Sequence, residues 1–137
     1  MGLFQSAEEF ETMLGGFFRL VSTRSDIAKP LLASKLVIRF TYTEPDVVIV
    51  VDCSGDDMDV RAGDRASKAV VDMSMKAEIA HKFWFGKVNL MQALTRRQMI
   101  AKGPVPKILQ LLPAIKPTYA LYPEYLRDNG YEKYIVY

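Results

Sequence analysis

"KLVIRFTYTEPDVVIVVDC", residues 35–53, is the stretch on which the fold turns. Its first half alternates, with Leu36, Ile38, Phe40 and Tyr42 on one side of an extended chain and Val37, Arg39 and Thr41 on the other, the period of a strand with one buried face. Glu44, Pro45 and Asp46 then turn the chain. The second half, "VVIVVDC", is apolar on both faces and belongs in the middle of a sheet.

Downstream, "MDVRA" (58–62) puts Met58 and Val60 inward and Asp59 and Arg61 outward, completing an antiparallel meander. "KAVVDMSM" (68–75) reads as a fourth strand, with Ala69, Val71, Met73 and Met75 in one row, and "QMIAKG" (98–103) as a fifth. Upstream, "SAEEFETMLGGFFRLV" (6–21) is an amphipathic helix, with Ser6 and Glu9 spaced as a capping box and Phe10, Met13, Leu14, Phe17, Phe18 and Val21 on one face. Gly15 and Gly16 imply that this helix bends or that another backbone comes close. Between strands four and five, "KAEIAHKFWFG" (76–86) is a helix ended by Gly86, and Asn89 caps a shorter one, "LMQAL". "PVPKILQLLPAIK" (104–116) starts a further helix whose regular run ends at Pro113. The expected fold class is α+β: a five-stranded, antiparallel-rich, mixed and twisted sheet with helices packed on one face, as one domain over residues 1–137.

Composition narrows the function. The chain is half apolar and one quarter charged, an ordinary balance for one domain with a single core. No apolar run is long enough to span a bilayer, and the first residues do not read as a secretory signal. Gly2 and Ser6 have the spacing of a myristoylation motif, a short pattern that recurs by chance. The lone Cys53 cannot form an internal disulfide and fits a reducing compartment, the cytoplasm by default. With His81 the only histidine, no zinc spacing can be written, and "DCSGDDMD" (52–59) lacks the glutamate that closes a calcium loop and reads as a solvated turn. No cofactor and no metal are expected.

Net charge is +2, but it is unevenly spread: residues 44–72 hold eight acids, whereas 76–116 hold eight Lys or Arg against Glu78 alone. Without an RNA- or DNA-reading signature, the basic half suits solvated helix backs or, if it is a site, a transient contact with an anionic membrane surface rather than nucleic acid.

The run "FGKVNLMQALTRRQMIAKG" (85–103), preceded by "AVVDMSM" and followed by "PKILQLL", resembles the sterol carrier protein 2 family of lipid-binding domains. Gly86, Lys87, Val88, Asn89, Ala93, Leu94, Met99, Lys102, Gly103, Ile108 and Leu109 occupy the places of its pattern, and the order of elements agrees along nearly the whole chain. Three positions depart: Leu90 where proline commonly stands, Arg97 where glycine often precedes the fifth strand, and Pro104 where a small polar residue is usual. The chain ends "IVY" rather than in a peroxisomal signal, which brings the resemblance nearer to stand-alone prokaryotic forms.

The resemblance implies a non-enzymatic carrier of a fatty acid, acyl-CoA, sterol or similar lipid in an apolar tunnel between sheet and helices. The residues then expected to line it are Phe17, Phe40, Val50, Val71, Met73, Phe83, Trp84, Met91, Met99, Ile108, Leu111 and Leu112. Two other readings stand beside it. A cone-shaped isomerase or dehydratase would need a buried carboxylate as base; Asp52 and Asp72 are the candidates, both read as solvated, and His81 reads as a surface histidine turned away from the Ile79–Phe83 stripe. An accessory module would use the tail, whose Tyr119, Tyr122, Tyr125, Tyr131, Tyr134 and Tyr137 suit either a lid over the cavity or a homodimer seam.

Overall fold

The computed structural model describes residues 3–137; Gly2, and with it the myristoylation spacing, lies outside the described residues. Strands β1 (Val37–Thr43), β2 (Val47–Asp52), β3 (Asp59–Ala62), β4 (Val71–Lys76) and β5 (Met99–Lys102) form one sheet in the order β3-β2-β1-β4-β5. All neighbours are antiparallel except β1 and β4, which run parallel. The expected mixed, antiparallel-rich sheet of an α+β fold is what forms.

The register gives the sheet two unlike faces. Phe40 pairs with Ile49 and Met73, Tyr42 with Val47 and Met75, and Met75 with Met99, so one face is an unbroken apolar row. Arg39, Thr41, Arg61 and Asp72 lie on the other. The loop from β3 to β4 crosses that outer face, held by Arg39, whose guanidinium donates to the Ser67 carbonyl and the Asp64 carbonyl. Beneath it Val48 and Val50 are buried although they point away from the main core.

The inner face is covered by helices. Helix α1 (Ala7–Ser22) lies across β2 and β3, and α3 (Ala77–Trp84) lies against β4 and β1. Helix α2 (Ser25–Ala33) packs against α1 and the later α6. The remaining helices are α4 (Leu90–Thr95), α5 (Val105–Leu109), α6 (Leu112–Ile115) and α7 (Thr118–Asp128), with a 3-10 turn at Glu132–Tyr134. The single helix expected over 104–116 is thus two short ones, broken just ahead of Pro113, which sits in the first turn of α6 where its missing N–H costs nothing.

Helix ends follow local chemistry closely. Ser6 Oγ accepts from the Glu9 N–H at 3.1 Å. The Glu9 carboxylate is taken up by the tail, accepting from the Tyr134 hydroxyl and facing Lys133 at 3.6 Å. Asn89 caps α4 by accepting from the Gln92 N–H at 3.0 Å. Both α3 and α4 end in a Schellman motif: Gly86 (φ 76°) with Lys87 N–H to Lys82 O, and Arg97 (φ 59°) with Gln98 N–H to Ala93 O. Arg97 therefore keeps the left-handed turn that glycine would make without strain.

Of the glycine pair of α1, Gly16 is explained by a side chain rather than a backbone. A Cβ on Gly16 would stand 2.3 Å from the Tyr125 hydroxyl, which donates to the Met13 carbonyl at 2.9 Å. Helix α7 is pinned to α1 through that gap.

Candidate ligand-binding site

Between the inner sheet face and the helices lies a narrow cavity of about 50 Å³. Its floor is Ile38, Phe40 and Tyr42 of β1, Met73 and Met75 of β4 and Met99 of β5. Its walls are Ala80, Phe83 and Trp84 of α3, Leu90 of α4, Ile108 of α5, Leu111, and Leu112 and Ile115 of α6. No ionisable carboxylate, amine, imidazole or thiol is among them. A groove of about 430 Å³ adjoins it, sharing Phe83, Leu90 and Leu112 and bordered by Met91, Lys116 and Tyr119. Among the described residues this cavity alone is too small for a whole acyl chain, since pockets that hold whole ligands of this kind span roughly 300–1,000 Å³.

Of the residues expected to line the site, Phe40, Met73, Phe83, Trp84, Met99, Ile108, Leu111 and Leu112 meet around the cavity. Four do not. Val50, 0% exposed, sits on the outer sheet face under the β3–β4 loop, because a strand apolar on both sides hides which side faces the helices. Met91 is 54% exposed and borders the outer groove. Phe17 is core, packed edge-on against Trp84 and Tyr122, and Val71 is buried on the inner face beyond the cavity. Tyr42, Met75, Ala80, Leu90 and Ile115 line the space without having been singled out, though Tyr42 and Met75 were legible as members of the inward rows.

His81 is not a surface residue: it is 0% exposed. The buried face of α3 holds Ala77, Ala80, His81, Phe83 and Trp84, and His81 falls in it with Ala77, Ala80 and Trp84 at the spacing i, i+3, i+4, i+7. Its Nε2 lies 2.7 Å from the Tyr134 carbonyl and its Nδ1 2.7 Å from the Tyr122 hydroxyl. A carbonyl only accepts, so the proton sits on Nε2, and Tyr122 donates to Nδ1. Burial pulls the imidazole down to about 4, against the partial counter-effect of the Tyr134 hydrogen bond and Glu78. His81 is a neutral structural link from α3 to α7 and the tail.

The tail tyrosines are mostly core as well. Tyr122, Tyr125 and Tyr134 are buried within the chain, Tyr119 stacks edge-on against Phe83 at the groove, and Tyr137 is exposed.

The two carboxylates considered as bases are on the wrong side of the sheet for the cavity. Asp72 pairs with Arg39 at 3.5 Å and accepts from Thr41 Oγ1 at 3.3 Å. Asp52 accepts from the Ser54 hydroxyl and N–H and faces Arg61 at 3.4 Å, and these contacts, Ser54 first, hold its carboxyl below the usual range. They are ion-paired in the outer network rather than simply solvated.

An apolar space between a mixed five-stranded sheet and a helical layer invites comparison with known proteins. The profile of the SCP-2 sterol transfer family matches residues 18–116. The chain belongs to this family. Sterol carrier protein 2 from Yarrowia lipolytica in its apo form superposes with a TM-score of 0.67 at 16% identity, covering 87% of this chain and 98% of that one. The sterol carrier protein domain 2 of Helicoverpa armigera gives 0.66 at 14% identity over 87% and 96%. A conserved protein from Thermus thermophilus gives 0.60 at 14% identity over 88% and 91%. No curated protein matches the chain. At these identities the structures share the fold, and the family supports a lipid-binding role. Among the described residues no helix is long and apolar enough to cross a membrane.

Proposed function

We propose that the chain binds one lipid molecule between the inner sheet face and α3, α5 and α6, and carries it without acting on it chemically. The observation that carries this reading is the cavity lining, apolar except for one phenol and one indole N–H and holding no carboxylate, imidazole or thiol. A nucleophile or base would have to stand in that lining, and the candidates Asp52 and Asp72 belong to the outer face.

Affinity in such a site comes from area. Burying about 300 Å² of hydrocarbon at roughly 25 cal/mol/Å² contributes about 7 kcal/mol before the several kcal/mol lost in association. Space for the chain is made on one side only. Helices α5 and α6 are five and four residues long, α6 has no fully buried residue, α5 meets the cavity through Ile108, and α6 meets the cavity through Leu112 and Ile115 and the groove through Leu112 and Pro113. Outward displacement of this pair joins the groove to the cavity.

The cations Lys87, Arg96, Arg97, Lys102, Lys107 and Lys116 are exposed and, among the described residues, make no ion pair. They favour a transient approach to an anionic membrane, an attraction screened over about 8 Å at physiological salt. The buried free Cys53, its thiol pushed up to about 11 by burial and then Asp52, fits a cytoplasmic carrier.

Trp84, the chain's one tryptophan, lines the cavity and reports on it directly. Titration with a fatty acid is expected to change Trp84 emission and to raise the melting temperature with the same concentration dependence, because a ligand of the native state stabilises it. Saturating lipid that moves neither sinks the carrier reading.

A further inference from the structure

One residue of the cavity lining carries a buried polar atom that has no partner. Tyr42 is 1% exposed, and its hydroxyl is, among the described residues, the one buried side-chain oxygen or nitrogen that makes no hydrogen bond. The ring cannot swing to find one. It stacks parallel on Phe40 with centroids 6.0 Å apart and meets Phe10 edge-on at 5.3 Å, and the neighbouring Tyr122 hydroxyl, which donates to His81, is not within hydrogen-bond reach of it. Buried polar atoms are nearly always paired, and an orphan that lines a cavity points to a group supplied by what fills it.

We propose that the Tyr42 hydroxyl donates to a neutral oxygen, a hydroxyl or carbonyl, at the leading end of the bound lipid, an inference that rests on the carrier reading above. The partner is neutral because no cation lines the cavity and an anion there would be buried without one. Any charged head group stays at the groove, where Lys116 borders the opening. The ligand class is thus an amphipathic lipid with a second, uncharged oxygen remote from its head. Burial, reinforced by Tyr122, keeps the phenol protonated and therefore a donor.

The test compares hexadecanoate with its ω-hydroxy derivative, on the wild-type chain and on Tyr42→Phe. Removing the donor leaves the ω-hydroxyl unpaired in the cavity, so the affinity ratio of ω-hydroxy to plain acid is expected to fall roughly tenfold in the variant. Without ligand, Tyr42→Phe is expected to melt at or above the wild-type temperature, since it removes an orphan. An unchanged ratio with both lipids bound overturns the inference and leaves the carrier reading standing. A variant that melts several degrees lower without ligand also overturns it, by revealing a partner within the protein. Failure of both lipids to bind the wild-type chain overturns the inference and the carrier reading together.

Discussion

The helical layer has two unlike ends. Over β2 and β3, α1 buries Phe10, Met13, Leu14, Phe17, Phe18 and Val21, and α7 interlocks with it through Tyr125 in the Gly16 gap while His81 ties α3 to Tyr122 and the tail. At the cavity end, α5 and α6 are single turns punctuated by Pro104, Pro106 and Pro113, and Ile108 is the one fully buried residue within them. The first end is cross-linked by hydrogen bonds and interdigitated rings, the second by loosely held aliphatic contacts. Local stability follows such differences, and binding segments come from the weaker end. On the carrier reading the cavity opens where the layer is thin, while the α1–α7 block keeps the fold.

The largest test of that contrast falls on His81. Replacement by Leu leaves the Tyr122 hydroxyl and the Tyr134 carbonyl unpaired in the core, with an expected loss of about 3 kcal/mol in chemical denaturation. The pH dependence carries the same signature. Because the folded imidazole titrates at about 4 and the unfolded one at 6.5, the unfolded chain takes up the proton first, and stability falls as pH drops from 6.5 to 4, by about 3 kcal/mol in all. His81→Leu should lose that portion of the slope and retain only what the carboxylates contribute; an unaltered slope would mean that His81 is accessible.

A smaller effect separates the two glycines of α1. Gly16→Ala drives Tyr125 out of its seat and is expected to cost about 1–2 kcal/mol net of the better helix propensity of Ala. Gly15→Ala meets only Arg19 at 3.4 Å and should be neutral or stabilising by up to about 1 kcal/mol. Equal melting temperatures for the pair would dissolve the interlock. Smallest is Arg97→Gly at the close of α4: relieving a left-handed arginine, less the extra freedom glycine gives the unfolded chain, should raise stability by about 0.5 kcal/mol.

How far the sequence could be read follows from the same chemistry. Strands β1 and β4 were legible because strict alternation fixes a face, and Phe40 and Met73 came with them. Val50 was not, since in β2 both faces are apolar and the outer one is buried by a loop whose hold depends on Arg39. Helix α2 was passed over because Pro30 interrupts it, and α7 because Pro123 and its tyrosines disguise Leu121, Tyr122, Tyr125 and Leu126, a helical i, i+1, i+4, i+5 set. His81 was misplaced because the stripe was centred between Ile79 and Phe83, whereas the buried side extends round through Ala77 to His81. The orphan at Tyr42 belongs to no sequence pattern; it exists only where the rings of Phe10 and Phe40 hold it.

Hydrogen exchange with and without a saturating fatty acid addresses the central claim most directly, because it reads the two ends of the helical layer in one experiment. The expected result is fast exchange in Val105–Ile115 of the free chain, slowed at least tenfold by lipid, with the amides of α1 and α7 slow in both states. Protection gained chiefly in α1 and α7, or nowhere, would contradict a lipid seated under α5 and α6.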